Sequence, residues 1–487
     1  MNSIVEMVGF YAKSKPETIA VIAEKQEITY KELWKEVRGF CNYLKSFGFP
    51  KGSRIIVKSA HSIWYVVSCF AVHLSGYVHV PLEKTIGLQG IIDVAQELEA
   101  SLIITNNPSG ISGYPVIDSE FVRNLANEYF NDSLSFEYPD REDICDIMFT
   151  TGTTGKSKGV MESHRAVVAV AQNVQYGAQI PENNIYLIPS PINHAAGIRK
   201  IYVSMITGTT AVLIDGFSNV KLFFEYIRDY HVTSILMPPS AVRMILVLAS
   251  KELPKYSAQL HHIHTGSAAF PEADKERLIE LLPDTHLYFA YGSSEAGTVS
   301  MFDYAKNKGK LNCVGKPTRN SHIMIVDENR HEIKSSKDNQ GFIAITGDVV
   351  MSGYYNAPEL TGEILDNGII YTNDMGYFDE EGYLYMTGRK GDVINIGGLK
   401  ISPTEVEDIV LRFPGISDAA CFAIHDRMGG TVPKLIIIEE PGVTVDIMKL
   451  QEHMLNNLEA FKVPKIIEKV TEIPKTSNGK TDRKMLK

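Results

Sequence analysis

The 487-residue chain has no cysteine pair at C-x-x-C spacing, no tandem repeat, no low-complexity segment and no excess of positive charge. Each absence narrows the function classes. Five cysteines, Cys41, Cys69, Cys145, Cys313 and Cys421, lie singly along the chain. An odd, scattered set favours reduced thiols over a disulfide framework, and it carries no metal-knuckle signature. Lysine plus arginine number 48 against 58 aspartate plus glutamate, a formal net charge of −10. A general nucleic-acid binder needs a concentrated positive face, so that class is set aside; one local basic pocket for phosphates is still compatible. The longest apolar stretch, Trp64 to Pro81, is broken by His73 and His79, and reads as a buried helix–strand pair instead of a membrane span. The first residues, MNSIVEMVGFYAKSKPE, are too polar and too soon acidic for a secretory signal, so a cytoplasmic protein is expected.

What is present is an ordinary globular composition, 44% hydrophobic and 22% charged. The length corresponds to about three domain-sized units, or one large and one small. Residues 29–48 carry apolar side chains at helical spacing, with Thr29 as N-cap and Gly48 as stop. Short apolar runs then alternate with helical stretches to about residue 300: Arg54 to Lys58, SLIIT at 101–105, AVLID at 211–215, TSILMPP at 233–239. That alternation predicts an α/β protein with largely parallel, stacked sheets. From about residue 311 short strands with turn signals dominate, which predicts a small β-rich subdomain over 311–390. The glycine-flanked stretch Gly388-Arg389-Lys390-Gly391-Asp392 is the predicted linker. It divides an N-terminal part, 1–390, from a small α+β C-terminal domain, 391–487.

The segment IMFTTGTTGKSKGV at 147–160 is the richest in chemistry. An apolar strand runs into Thr150, Thr151, Gly152, Thr153, Thr154, Gly155, Lys156, Ser157 and Lys158. Hydroxyl donors, backbone N–H groups freed by glycine and two cations all suit a polyphosphate. A P-loop, G-x-x-x-x-G-K-[ST], fits Gly155-Lys156-Ser157 but needs glycine where Thr150 stands, so it fails by one required residue.

TTGTTGKSKGV resembles the signature loop of the AMP-forming adenylating enzymes: acyl-CoA synthetases, peptide-synthetase adenylation domains and luciferases. The resemblance runs from KPETIAVIAEKQEITYKEL near the start to PKTSNGKTDRK near the end, with several motifs in order. It implies a large N-terminal AMP-binding domain and a small mobile C-terminal one, with ATP, Mg²⁺ and CoA as cofactors and a small carboxylic acid as substrate. Residue roles follow by the same resemblance. Thr151, Thr153, Thr154 and Lys156, with the glycines Gly152 and Gly155, would hold the phosphates. In AYGSSEAG (290–297), Tyr291 would stack on adenine, Gly292, Ser293 and Ser294 would line the nucleotide, and Glu295 would hold Mg²⁺; Ser294 replaces the usual threonine but keeps the hydroxyl. Gly266, Ser267 and Ala268 resemble the loop beside the adenine, and Pro271 begins a helix. Asp374, in Tyr371-Thr372-Asn373-Asp374, would accept from the ribose hydroxyls, though read bare it is a hairpin turn residue. Arg389 would contact ribose or phosphate.

Gly391 falls where the family's hinge residue is commonly Asp or Lys; glycine can absorb the φ/ψ change of a hinge. Gly397, Gly398 and Lys400 resemble the loop that faces a pantetheine arm after domain rotation. Lys480, in Pro474-Lys475-Thr476-Ser477-Asn478-Gly479-Lys480, resembles the catalytic C-terminal lysine that offsets charge as pyrophosphate leaves. In Ile192-Asn193-His194-Ala195-Ala196-Gly197, His194 would sit at the mouth of the acyl pocket near the carboxylate. Amino-acid-activating relatives carry Asp where Ala195 stands, which disfavours an amino-acid substrate. The corresponding pocket set is Ala195, Ala196, Arg199, Leu236, Ile263, Thr265, Ala290, Thr298 and Val299. Arg199 is its odd member: a cation in a small apolar pocket wants an anion, either a distal carboxylate on the substrate or a nearby acid of the protein. The thiol is expected to be free CoA, the alternative being the phosphopantetheine of a separate acyl carrier protein.

Overall fold

The computed structural model describes the chain except residues 59, 151–157, 267–269, 311, 393, 397–398, 427–429, 476–480, 484 and 487. Its first long helix, Tyr30–Lys45, starts as the sequence dictates. The Thr29 side chain accepts from the Glu32 N–H and the Glu32 carboxylate reaches back to the Thr29 N–H, a reciprocal capping box. The apolar stretch resolves into a helix, Ile63–Leu74, and a strand, Val78–Pro81, with every strand residue buried.

Among the described residues the strands form sheets of 14, 7, 3 and 2 strands. The seven-stranded sheet pairs Arg54–Lys58 in parallel with Val78–Pro81 and Leu102–Thr105. The 14-stranded sheet is parallel through Ile185–Ile188, Ser234–Leu236, His262–Gly266 and His286–Ser293. Its later, antiparallel strands continue the same sheet, through pairs such as Ser300 with Pro317 and Gly315 with Leu384. Main-chain pairing thus carries across from Gly297–Asp303 into the strands of 311–390, except Gly353–Tyr354, which pairs with Lys158–Ser163 in the seven-stranded sheet. Beyond residue 400, Ile416–Asp426, Gly430–Glu439 and Ile466–Lys469 make a three-stranded sheet with its own core around Val406, Leu435 and Met454. There Arg483 Nη2 donates to both carboxylate oxygens of Glu407, at 2.6 and 2.7 Å. None of the described helices is long and apolar enough to cross a membrane.

The two histidines that break the apolar stretch meet a carboxylate in the core. Asp146 is wholly buried, and accepts from His79 Nδ1 at 2.8 Å, His73 Nε2 at 3.2 Å and the Tyr202 hydroxyl at 2.8 Å. His73 and His79 hold its carboxyl far below the usual range despite burial. Ligand atoms of Cys69, His73, His79 and Asp146 lie within 4.8 Å of one another. Among the described residues the remote nitrogens, His73 Nδ1 and His79 Nε2, have no acceptor, whereas a metal-bound imidazole directs its other N–H at one. The cluster is therefore a hydrogen-bonded carboxylate. Its stability contribution is complete above the unfolded carboxyl's pKa and declines as pH falls below it.

Candidate active site

Strands of both large sheets carry most of the motif residues, and His194 stands at the start of a helix. Asp374 is not in a turn: it lies in the strand Ile369–Phe378, directly across from Arg389 in Leu384–Arg389. The hairpin reading fails because strand pairing continues through Asp374 past a bulge at Met375/Gly376. The carboxylate is 6% exposed, accepts from Arg389 Nε at 2.6 Å and from the Tyr291 hydroxyl at 2.8 Å, and holds the Arg389 guanidinium above its usual range. Tyr291 is buried against Val160, Val170 and Val299, and burial with Asp374 raises its hydroxyl well above its ordinary value. Each carboxylate oxygen keeps a second lone pair for another donor.

Gly292 and Gly266 are glycines of necessity. A Cβ at Gly292 would stand 1.7 Å from the Gly297 carbonyl, and one at Gly266 2.6 Å from that of Ala290. The turn that follows Gly292 carries Glu295, whose Oε1 accepts from the Tyr354 hydroxyl at 2.8 Å and whose carbonyl accepts from the Met351 N–H. Oε2 of Glu295 has no partner among the described residues. Lys158, at the far end of the phosphate-loop motif, lies 5.0 Å from the Tyr354 ring centroid. His194 caps the helix Ala195–Thr207 from an extended backbone, with Nε2 2.7 Å from Glu83 Oε1. Gly391 is exposed and has φ +91°, in the left-handed region that side-chain-bearing residues rarely adopt. Thr151, Gly152, Thr153, Thr154, Gly155, Lys156, Ser267, Ala268, Gly397, Gly398, Lys480 and the Lys400 side chain lie outside the described residues.

Residues 10–355 match the AMP-binding enzyme family and residues 405–480 its C-terminal domain. The chain belongs to the AMP-binding enzyme family. It is 26% identical to a 2-succinylbenzoate–CoA ligase of Staphylococcus epidermidis over 98% of this chain and 96% of that one. It is 27% identical to a feruloyl-CoA synthase of Amycolatopsis over 96% and 95% of the two chains. Among solved structures, ATP-bound MatB from Rhodopseudomonas palustris superposes with TM-score 0.88 at 22% identity, covering 100% of this chain and 98% of that one. The o-succinylbenzoate CoA synthetase of Bacillus subtilis, with its acyl-adenylate, superposes with TM-score 0.84 at 25% identity over 99% and 97%.

For an AMP-binding enzyme, the pocket set taken from the family splits. Leu236, Gly266 and Ala290 share the sheet face of His264, since Leu236 pairs with His264 and Gly266 with Ala290. Ile263 and Thr265 belong to the other face by strand alternation. Ile263 is 1% exposed in a core with Leu187, Ile235 and Leu287, which corrects the expectation that it lines the pocket. Val299 sits with Tyr291 in a third core, and Thr298 opposite Gly292. Ala195 is half-buried and Ala196 exposed at the start of the helix.

Arg199 takes the second of its two expected partners, an acid of the protein. Its guanidinium donates to Glu162 Oε1 at 2.5 Å, to the Ser294 carbonyl at 2.9 Å and to the Ser293 carbonyl at 3.1 Å. Glu162 is buried, and burial raises its carboxyl above the ordinary range even against Arg199. The partner of this cation is an acid of the protein, so no substrate anion is needed at Arg199. It instead ties the helix to the turn that presents Glu295.

Proposed function

We propose that this protein couples a carboxylic acid to coenzyme A in two steps at the expense of ATP, releasing AMP and pyrophosphate. The observation that carries the reading is the convergence of Asp374, Arg389 and Tyr291 beside the glycine-lined turn that presents Glu295, in a member of the AMP-binding enzyme family whose curated relatives are CoA ligases.

In the first step a carboxylate oxygen of the acid attacks the α-phosphorus of ATP, and the bond to the bridging β-phosphate oxygen breaks. Asp374 accepts from the ribose hydroxyls, and Tyr291 flanks the nucleotide. Thr151, Thr153, Thr154 and Lys156 hold the phosphates, and Lys480 offsets the charge that develops as pyrophosphate leaves. The Glu295 carboxylate, a hard oxygen donor with one oxygen unpartnered among the described residues, fits Mg²⁺, which when bound neutralises phosphate charge. In the second step the thiol sulfur attacks the acyl carbon, the acyl C–O bond breaks, and AMP leaves with the oxygen. We place the domain boundary at residues 390/391, with Gly391 as the hinge that brings Gly397, Gly398 and Lys400 to the site. The protein is read as cytoplasmic, and CoA is preferred to a carrier-bound thiol because the named relatives use CoA.

The test is pyrophosphate release across fatty, aryl and dicarboxylic acids, with and without CoA. Sustained release with one acid that requires CoA is the expected result, and Lys480→Ala should lower it by about 10²–10³-fold. Release that stalls after one equivalent despite CoA would overturn the choice of thiol. No release with any acid would overturn the activity.

A further inference from the structure

One residue beyond Arg199 on the same helix stands Lys200, 6% exposed, its ammonium 5.8 Å from the Tyr186 ring centroid. Among the described residues it has neither a carboxylate nor a hydrogen-bond acceptor. The sheet beneath it adds three more unpartnered polar atoms. Tyr186 and His264 are 0% and 1% exposed, with ring centroids 5.3 Å apart, and the Tyr186 hydroxyl and both His264 ring nitrogens have no partner among the described residues. Burial and the nearby Lys200 charge hold His264 neutral, leaving one N–H donor and one bare acceptor.

Charge counting gives the missing group its sign. Arg199 is balanced by Glu162, and among the described residues no acid pairs with Lys200. A buried ammonium without a counter-charge is costly, and so are buried donors without acceptors. An anion beside Lys200 would supply the counter-charge and would accept from the Tyr186 hydroxyl and the one His264 N–H. Location fits as well: His264 pairs with Leu236, on the sheet face of the expected acyl pocket. Lys200 follows His194 by six residues, about 9 Å along the helix axis, and its side chain leans back toward the N-terminus.

We propose that Lys200, with Tyr186 and His264, forms an anion-recognising far wall of the acyl pocket, so that the acid activated here carries a second carboxylate or oxyanion within about 9 Å of the reacting one. This rests on the ligase reading, and it moves the distal-anion contact from Arg199 to Lys200. Burial and the Arg199 charge bring the Lys200 ammonium down to about 7, and a bound carboxylate would push it back up.

The experiment compares kcat/KM for dicarboxylic acids of increasing length with that for monocarboxylic acids of matched length, with ATP and CoA present. A charged hydrogen bond of this kind corresponds to about 10–10²-fold. Wild-type protein should favour one dicarboxylic acid by that factor, and Lys200→Met should bring the ratio toward one, with Lys200→Arg keeping part of it. His264→Gln, nearly isosteric, should lower the same ratio by about 3–10-fold. Equal use of monoacids by wild type, or an unchanged ratio in Lys200→Met, overturns the inference while leaving the ligase reading intact. Absence of pyrophosphate release with every acid contradicts both.

Discussion

Arg199→Met is expected to destabilise the N-terminal part by about 3–5 kcal/mol, the loss typical when one member of a buried ion pair is removed. Glu162, buried beside Asp146 in the core, would be left with an uncompensated charge. Denaturant unfolding of the variant measures it, and Glu162→Gln should behave alike. A second readout separates packing from positioning. The double variant Glu162→Leu/Arg199→Met removes both charges, and should recover much of the stability. It cannot recover the bonds to the Ser293 and Ser294 carbonyls, so the turn that presents Glu295 stays loose. Adenylate formation in the double variant should remain about 10²-fold down, the scale of an ångström-sized misplacement. A double variant with full activity would contradict the positioning role, and an Arg199→Met protein as stable as wild type would contradict the buried pair.

Asp374→Ala is expected to lower kcat/KM for ATP by about 10²–10⁴-fold, if two charge-assisted hydrogen bonds to the ribose are lost at about 1.5–3 kcal/mol each. Part of any loss could come from Tyr291 and Arg389, which the carboxylate also holds. Deoxy nucleotides resolve the two contributions. Wild-type protein should prefer ATP to its 2′-deoxy and 3′-deoxy analogues, and Asp374→Ala should lose that preference. A variant that still discriminates among the three would show that Asp374 only braces its neighbours.

The parts of the fold with strong local signals were legible. Thr29 and Glu32 announce a capping box, and the helix begins at Tyr30. The two histidines in the apolar stretch end its reading as a membrane span, and their carboxylate lies some seventy residues away, where local patterning cannot find it. Asp374 looked like a turn residue because glycine follows two positions later; only the pairing partner, Arg389, reveals a strand. The same holds for Arg199. Its chemistry demanded an anion, but Glu162 stands 37 residues earlier on another element. Period-two alternation was available for residues 262–266, yet which face met the helix depended on neighbouring strands. Lys200 was missed for a similar reason. A lysine inside a helix reads as solvated, and its burial over Tyr186 and His264 arises from packing between a helix and a sheet.

In the two-step reaction a carboxylate oxygen passes to AMP, and isotope position reveals that transfer. Turnover of an acid labelled with ¹⁸O in its carboxylate, with ATP and CoA, should give AMP carrying one labelled oxygen and unlabelled pyrophosphate. Label in inorganic phosphate alongside ADP, or AMP with no label, would contradict the account.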